Sequence, residues 1–153
     1  MAKVSILMVC LGNICRSPVA EGLMRSIALE KGLDVIVDSA GTSGLHSGEA
    51  PDRRSQKNAK KNGVDISDQC SRKFSVRDFD RFDRIYVMDE SNYDNVIELA
   101  ENSEHKKKVF FLLDALYPGK KMPVPDPWYG GEQGFEEVFQ LVKRACQKIA
   151  EDL

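Results

Sequence analysis

The chain has 153 residues, long enough to bury a core without disulfide staples, and a single domain over residues 1–153 is expected. A composition of 42% hydrophobic and 30% charged residues is that of a globular protein and speaks against wholesale disorder or a membrane-embedded chain. Twenty-two Lys and Arg against 24 Asp and Glu leave a formal charge of −2. That balance gives no general attraction to nucleic acid or anionic lipid, so any anion site must be local.

Lys3 to Val9 is apolar and rich in Val, Ile, Leu and Met, as in a strand buried on both faces of a parallel sheet. The apolar run Val4–Leu11 is too short to span a bilayer and ends in Gly12 and Asn13 without a signal-type cleavage site, so a cytoplasmic location is expected. Ser17-Pro18 reads as a helix start, with Ser17 as N-cap. Val19, Leu23, Met24, Ile27 and Ala28 follow at helical spacing, and Gly32 is the stop. A short strand at Val35–Val37 comes next, then a mostly polar helix from about Asp52 to Asn62 closed by Gly63, and a strand Arg84–Met88. A helix from about Tyr93 to Ala100, a strand Val109–Leu112 and a last helix complete the series. Phe135, Val138, Phe139, Val142, Ala145, Cys146 and Ile149 form the apolar stripe of that last helix. The alternation predicts an α/β fold: a doubly wound, four-stranded parallel sheet with helices on both faces. Ligands of such sheets sit beyond the carboxyl ends of the strands, which singles out the loop after the first strand. Gly41–Glu49 and Tyr117–Gly131 are also long for plain connections. Pro123, Pro125 and Pro127 stiffen the second of these.

The loop after the first strand carries the densest chemistry, "VCLGNICRSP" at residues 9–18. Cys10 and Arg16 make a Cys-x5-Arg pair, a weak signal alone but here set between a strand end and a helix start with glycine between them. Such a loop wraps an oxyanion, because backbone N–H groups and the positive end of the helix dipole point inward. Arg16 adds a bidentate fork suited to phosphate, the field favours the thiolate of Cys10, and Ser17 can donate to that sulfur. A buried, inert Cys10 with Arg16 as a surface cation is the bland alternative. A nucleotide-binding loop is a poor one, since neither Gly-x-Gly-x-x-Gly nor Gly-Lys-Ser/Thr is present. The four cysteines fit neither a disulfide scaffold nor a zinc site, and His46 and His105 stand alone as solvated loop residues.

At these residues the chain resembles the low-molecular-weight protein tyrosine phosphatases. "VCLGNICRSP" matches that family's signature loop and "DPWYGG" its Asp-Pro loop, while "SAGTS" at 39–43 and "MDESN" at 88–92 fall in the family's order. The resemblance covers essentially the whole chain. It implies hydrolysis of phosphotyrosine or small aryl phosphates without metal or other cofactor, Cys10 being the nucleophile. The phosphate would be held by Arg16 and the backbone of Leu11, Gly12, Asn13, Ile14 and Cys15, and Asp126, between two prolines, would be the proton donor. Asn13, Ser17 and Ser39 match positions that shape the loop. Asp89 belongs either to that shell or to a helix N-terminus.

The walls of a cleft deep enough to favour a phenol over a serine side chain would be Leu11, Ile14, Leu45, Trp128 and Tyr129, with Leu45 where an aromatic is often found. Cys15 is either a small buried hydrophobe or a partner that traps oxidised Cys10 as a disulfide. The partner expected is a tyrosine-phosphorylated protein or small aryl phosphate, with no nucleic acid, no membrane, and the chain a monomer. A thiol-linked arsenate reductase, which needs a relay of further cysteines, and a non-catalytic phosphoprotein-binding module are the competing readings.

Overall fold

The computed structural model describes residues 3–127 and 130–153. Four parallel strands form one sheet: β1 (Val4–Cys10), β2 (Val35–Gly41), β3 (Arg84–Val87) and β4 (Val109–Phe111), in the order β2-β1-β3-β4. The helices are α1 (Arg16–Lys31), α2 (Arg53–Lys61), α3 (Asp78–Arg81), α4 (Glu90–Glu98), α5 (Ser103–Lys107) and α6 (Gly131–Glu151), with a 3-10 turn at Leu112–Ala115. The strand order reverses between β1 and β3, which opens a crevice above the carboxyl end of β1.

Period-two alternation sends Ile6, Met8 and Cys10 to one face of β1 and Leu7 and Val9 to the other. On the first face they join Leu23 and Met24 of α1 and Phe139 and Val142 of α6. On the second they meet Phe74, Phe79 of α3, Val96 of α4 and Phe111. Helices thus cover both faces, as the sequence predicts. The first turns of α1 are buried throughout, from Arg16 to Met24, and a Cβ on Gly22 would lie 2.6 Å from Ile66 Cγ2. Glycine is what lets α1 sit under the segment carrying Ile66.

β2 runs four residues beyond the predicted Val37, because Asp38 and Ser39 interrupt the apolar signal while Ala40 and Gly41 still pair with Val9 and Cys10. α4 starts at Glu90, before the predicted Tyr93, since Asp89 caps it by accepting from the Asn92 N–H at 2.8 Å. His105 is no solvated loop residue: it is buried in α5, stacked on Phe79 with ring centroids 4.5 Å apart, its Nδ1 accepting from the Glu101 N–H. Among the described residues no helix is long and apolar enough to cross a membrane.

Candidate active site

β1 ends at Cys10 and α1 begins at Arg16, and the loop between them is held by its carbonyls. The Cys10 and Leu11 carbonyls accept from Thr42 and Ser43 N–H groups at 2.9 Å each, that of Ile14 from Asp52 N–H at 2.7 Å, and that of Cys15 from Val19 N–H at 3.4 Å. The Gly12 carbonyl accepts from the Ser71 hydroxyl at 3.1 Å. A trans peptide sets each N–H opposite the preceding carbonyl, so the N–H groups of Leu11, Gly12, Asn13, Cys15 and Arg16 turn toward the loop's interior. Asn13 shows the sense directly, its N–H donating to Cys10 Sγ at 3.3 Å. A Cβ on Gly41 would come within 2.8 Å of the Leu11 carbonyl oxygen, so the close approach of β2 to this loop requires glycine there.

Asn13 is the buried keystone, at φ 56°, a left-handed conformation that Asn tolerates better than most residues. Its Oδ1 accepts from the Arg72 N–H at 3.1 Å, which orients the amide. Its Nδ2 then donates to Ser17 Oγ at 2.8 Å and to Ser39 Oγ at 2.9 Å. Each hydroxyl accepts there and has one proton left: Ser39 gives its own to Glu21 Oε1 at 2.6 Å, and Ser17 faces Cys10 Sγ at 3.0 Å. The sulfur thus accepts from Asn13 N–H and lies at hydrogen-bond distance from a hydroxyl that still has a proton to give. Ser17 is consequently not the helix N-cap that its place before Pro18 predicts. Cys15 holds that position with no side-chain cap, and the Ser17 hydroxyl is spent beneath the sulfur. Glu21 ends the chain of bonds, paired with Arg25 at 2.8 Å, and burial pushes its carboxyl above the usual range despite Ser39 and Arg25.

Arg16 is buried, and its Nη1 donates to Asp89 Oδ2 at 2.9 Å and to the Val124 carbonyl at 3.0 Å. Both bonds use one nitrogen, which leaves the Nε–Nη2 edge to face an anion. Asp89 serves both of its expected roles, one oxygen capping α4 and the other holding Arg16. Val124, buried between two exposed prolines, also donates its N–H to the Met88 carbonyl at 2.7 Å. It ties the segment carrying Asp126 to the end of β3.

A cavity of about 230 Å³ opens above Cys10, lined by Leu11, Gly12, Ile14, Cys15 and Arg16 of the loop and by His46 and Asp126 from elsewhere. Asn13, Ser17 and Ser39 lie beneath it, bonded as above. Leu45 is not on this wall: it is 86% exposed, and His46 takes the place instead. The turn from Gly44 to Glu49 directs the imidazole inward, Gly12 has no Cβ to obstruct it, and Nδ1 lies 2.9 Å from Glu49 Oε2. Trp128 and Tyr129 lie outside the described residues. Cys15 is partly buried with its thiol pushed up to about 12, first by burial and then by the negative charge of Asp52. His46, Val124 and Glu21 are the residues that sequence reasoning missed. Only Val124, apolar in a polar proline-rich stretch, carried a local signal.

An anion cradle built round a cysteine, at the switch point of a parallel α/β sheet, defines the class: a cysteine-bearing oxyanion-binding protein. Comparison with known proteins narrows it. The family model for low molecular weight phosphotyrosine protein phosphatase matches residues 5–153. The low molecular weight phosphotyrosine protein phosphatase of Homo sapiens is 38% identical over 152 residues, covering 98% of this chain and 96% of the human one. The low molecular weight protein-tyrosine-phosphatase YfkJ of Bacillus subtilis is 40% identical over 150 residues, covering 95% and 93%. The crystal structure of a protein tyrosine phosphatase from Entamoeba histolytica, with Hepes in its active site, superimposes with a TM-score of 0.91 at 38% identity, covering 98% and 96%. The chain belongs to the low molecular weight protein tyrosine phosphatase family and is a hydrolase of phosphotyrosine.

Proposed function

We propose that hydrolysis proceeds through a phosphocysteine on Cys10. The observation that carries this reading is the convergence of the Asn13 N–H and the Ser17 hydroxyl on a sulfur at the base of a cavity rimmed by inward N–H groups. Cys10 Sγ attacks phosphorus as the bond to the aryl oxygen breaks. The loop amides and Arg16 hold the equatorial oxygens, and Asp126 passes its proton to the departing phenolate. The Asp126 carboxylate then takes a proton from water, the water oxygen attacks phosphorus, and the P–S bond breaks. Ser17 O–H steadies the sulfur as it leaves. The scheme assigns no step to a metal. The apolar loop residues Leu11 and Ile14, with the His46 ring, offer surface to a flat aryl group. The expected outcome is steady turnover of p-nitrophenyl phosphate, inhibited by vanadate and lowered about 10⁴-fold or more in Cys10→Ser. Turnover by Cys10→Ser at the native rate would overturn the nucleophile.

The arsenate reductase reading finds no support. The matched relatives carry phosphatase names, and Cys70 lies exposed, away from the residues that line the cavity. We also propose a protective role for Cys15, which lines the same cavity as Cys10. A peroxide oxidises the Cys10 thiolate to sulfenic acid and is itself reduced to hydroxide. Cys15 sulfur then attacks that sulfur, losing its proton, the S–O bond breaks, and water leaves. With a thiol pushed up to about 12, Cys15 is protonated near neutrality, so disulfide formation accelerates as pH rises toward that value. Mass mapping after mild peroxide at pH 7 and pH 9 is expected to find a Cys10–Cys15 link, more at the higher pH. Recovery of sulfinic Cys10 alone would end the proposal.

A further inference from the structure

A second cavity, about 580 Å³, lies between α2 and the start of α6, and the catalytic scheme makes no use of it. We infer that this cleft receives the polypeptide flanking a phosphotyrosine and selects acidic side chains there, a reading that rests on the phosphatase activity proposed above. Arg54, Lys57, Asn58 and Lys61 line one wall at i, i+3, i+4 and i+7, the spacing of a single helix face. Phe135 of α6 forms apolar floor, with the Arg54 guanidinium carbon 4.8 Å from its ring centroid.

The charge of this wall is concentrated. α2 holds Arg53, Arg54, Lys57, Lys60 and Lys61 and no carboxylate, in a chain whose formal charge is −2. Two glutamates line the facing wall and offset part of that charge, leaving three cationic side chains against two carboxylates in the lining. Glu136 is taken up by the amides of Asn58, Asn62 and Gln140, and Glu132 meets Lys57 only at 3.4 Å with both side chains largely in solvent. The start of α2, which supplies one wall of the cleft, is also bonded to the loop that lines the catalytic cavity. The Asp52 N–H that caps the Ile14 carbonyl stands at the start of α2, Asp52 bonds Arg54, and Arg54 lies within electrostatic reach of Cys15 and Asp126. A tyrosine whose phosphate sits over Cys10 thus has a basic, amphipathic groove beside it for the chain on one side. Acidic side chains match that groove in charge, and the apolar floor accepts their aliphatic stems.

The test compares two phosphotyrosine peptides that differ only in flanking Glu against flanking Gln, with p-nitrophenyl phosphate as a probe too small to reach the cleft. The native protein is expected to favour the Glu peptide about tenfold in kcat/KM at low salt, the preference shrinking at 0.5 M salt as exposed charges are screened. Lys57→Glu with Lys61→Glu removes the preference and leaves p-nitrophenyl phosphate turnover unchanged, which also shows that the variant is folded. Lys60→Glu, on the same helix but outside the cleft lining, retains most of the preference, whereas Lys61→Glu alone loses about half of it. Equal kcat/KM for both peptides in the native protein, or equal losses in Lys60→Glu and Lys61→Glu, would overturn the cleft assignment while leaving the phosphatase reading intact. Absence of p-nitrophenyl phosphate turnover in the native protein would instead remove that reading and the cleft with it.

Discussion

The two segments that furnish the reacting groups are built in opposite ways. In the loop from Cys10 to Arg16 the carbonyls are bonded at five positions, and its Asn is locked by three side-chain bonds. The segment carrying Asp126 is exposed on either side of Val124, where the chain is pinned to Met88 and Arg16. The contrast follows from the chemistry. A cradle for an oxyanion must be organised before the anion arrives, because donors that reorient during reaction give back much of the stabilisation. A proton donor has only to meet the leaving oxygen, so one anchor and stiff prolines suffice.

If that division holds, breaking the proton donor and breaking the cradle separate cleanly. Asp126→Asn is expected to lower kcat/KM, which reports the step that expels the leaving group, by roughly 10²–10³-fold on phosphotyrosine, less on p-nitrophenyl phosphate whose leaving group needs little protonation, with thermal stability altered by under about 1 kcal/mol. Equal losses on the two substrates would deny it the role of acid. Asn13→Ala acts differently: three hydrogen bonds at about 1 kcal/mol each are lost, and Ala tolerates the left-handed φ less well. A fall in Tm on the order of 10 °C should accompany a rate loss of about tenfold to a hundredfold. A variant with native Tm and a large rate loss would mean that Asn13 acts on the sulfur alone.

How much of this was legible beforehand divides along the same line. The phosphate loop could be read because its parts lie within ten residues and each has a local cause: a strand end, a glycine, a Ser-Pro helix start. Of the two readings of Ser17, the contact with the Cys10 sulfur is present and the N-cap is not, since nothing local says that Asn13 and Cys10 both engage its hydroxyl. The sheet and its helices were legible from periodicity, while α3 and α5 were not, being four and five residues long. Contacts between distant segments were out of reach. His46 looked solitary because its neighbour across the cavity, Gly12, is more than thirty residues away, and Leu45 beside it was the more apolar choice for a wall. Glu21 on α1 reads as an ordinary helical carboxylate until Ser39 of β2 is laid against it.

The joint between the two segments supplies the smallest and most discriminating effect. Asp89 caps α4 with one oxygen and holds Arg16 with the other, so replacing it by Ala removes both functions at once and cannot apportion them. Asp89→Asn can. Asn caps a helix as well as Asp does, and its amide oxygen keeps the Asn92 bond, so stability is expected to stay within about 0.5 kcal/mol of native. What goes is the negative charge and, with it, the bond to Arg16, because the amide nitrogen that replaces Oδ2 is itself a donor facing Nη1. Arg16 keeps its second restraint, the Val124 carbonyl, so it is loosened and not released. The expected result is therefore modest, a fall in kcat/KM of about fivefold to tenfold, with Asp89→Ala adding about 1 kcal/mol of instability but little further rate loss. Native kcat/KM in Asp89→Asn would make Asp89 a cap only, and would place the whole restraint of Arg16 on the backbone of Val124.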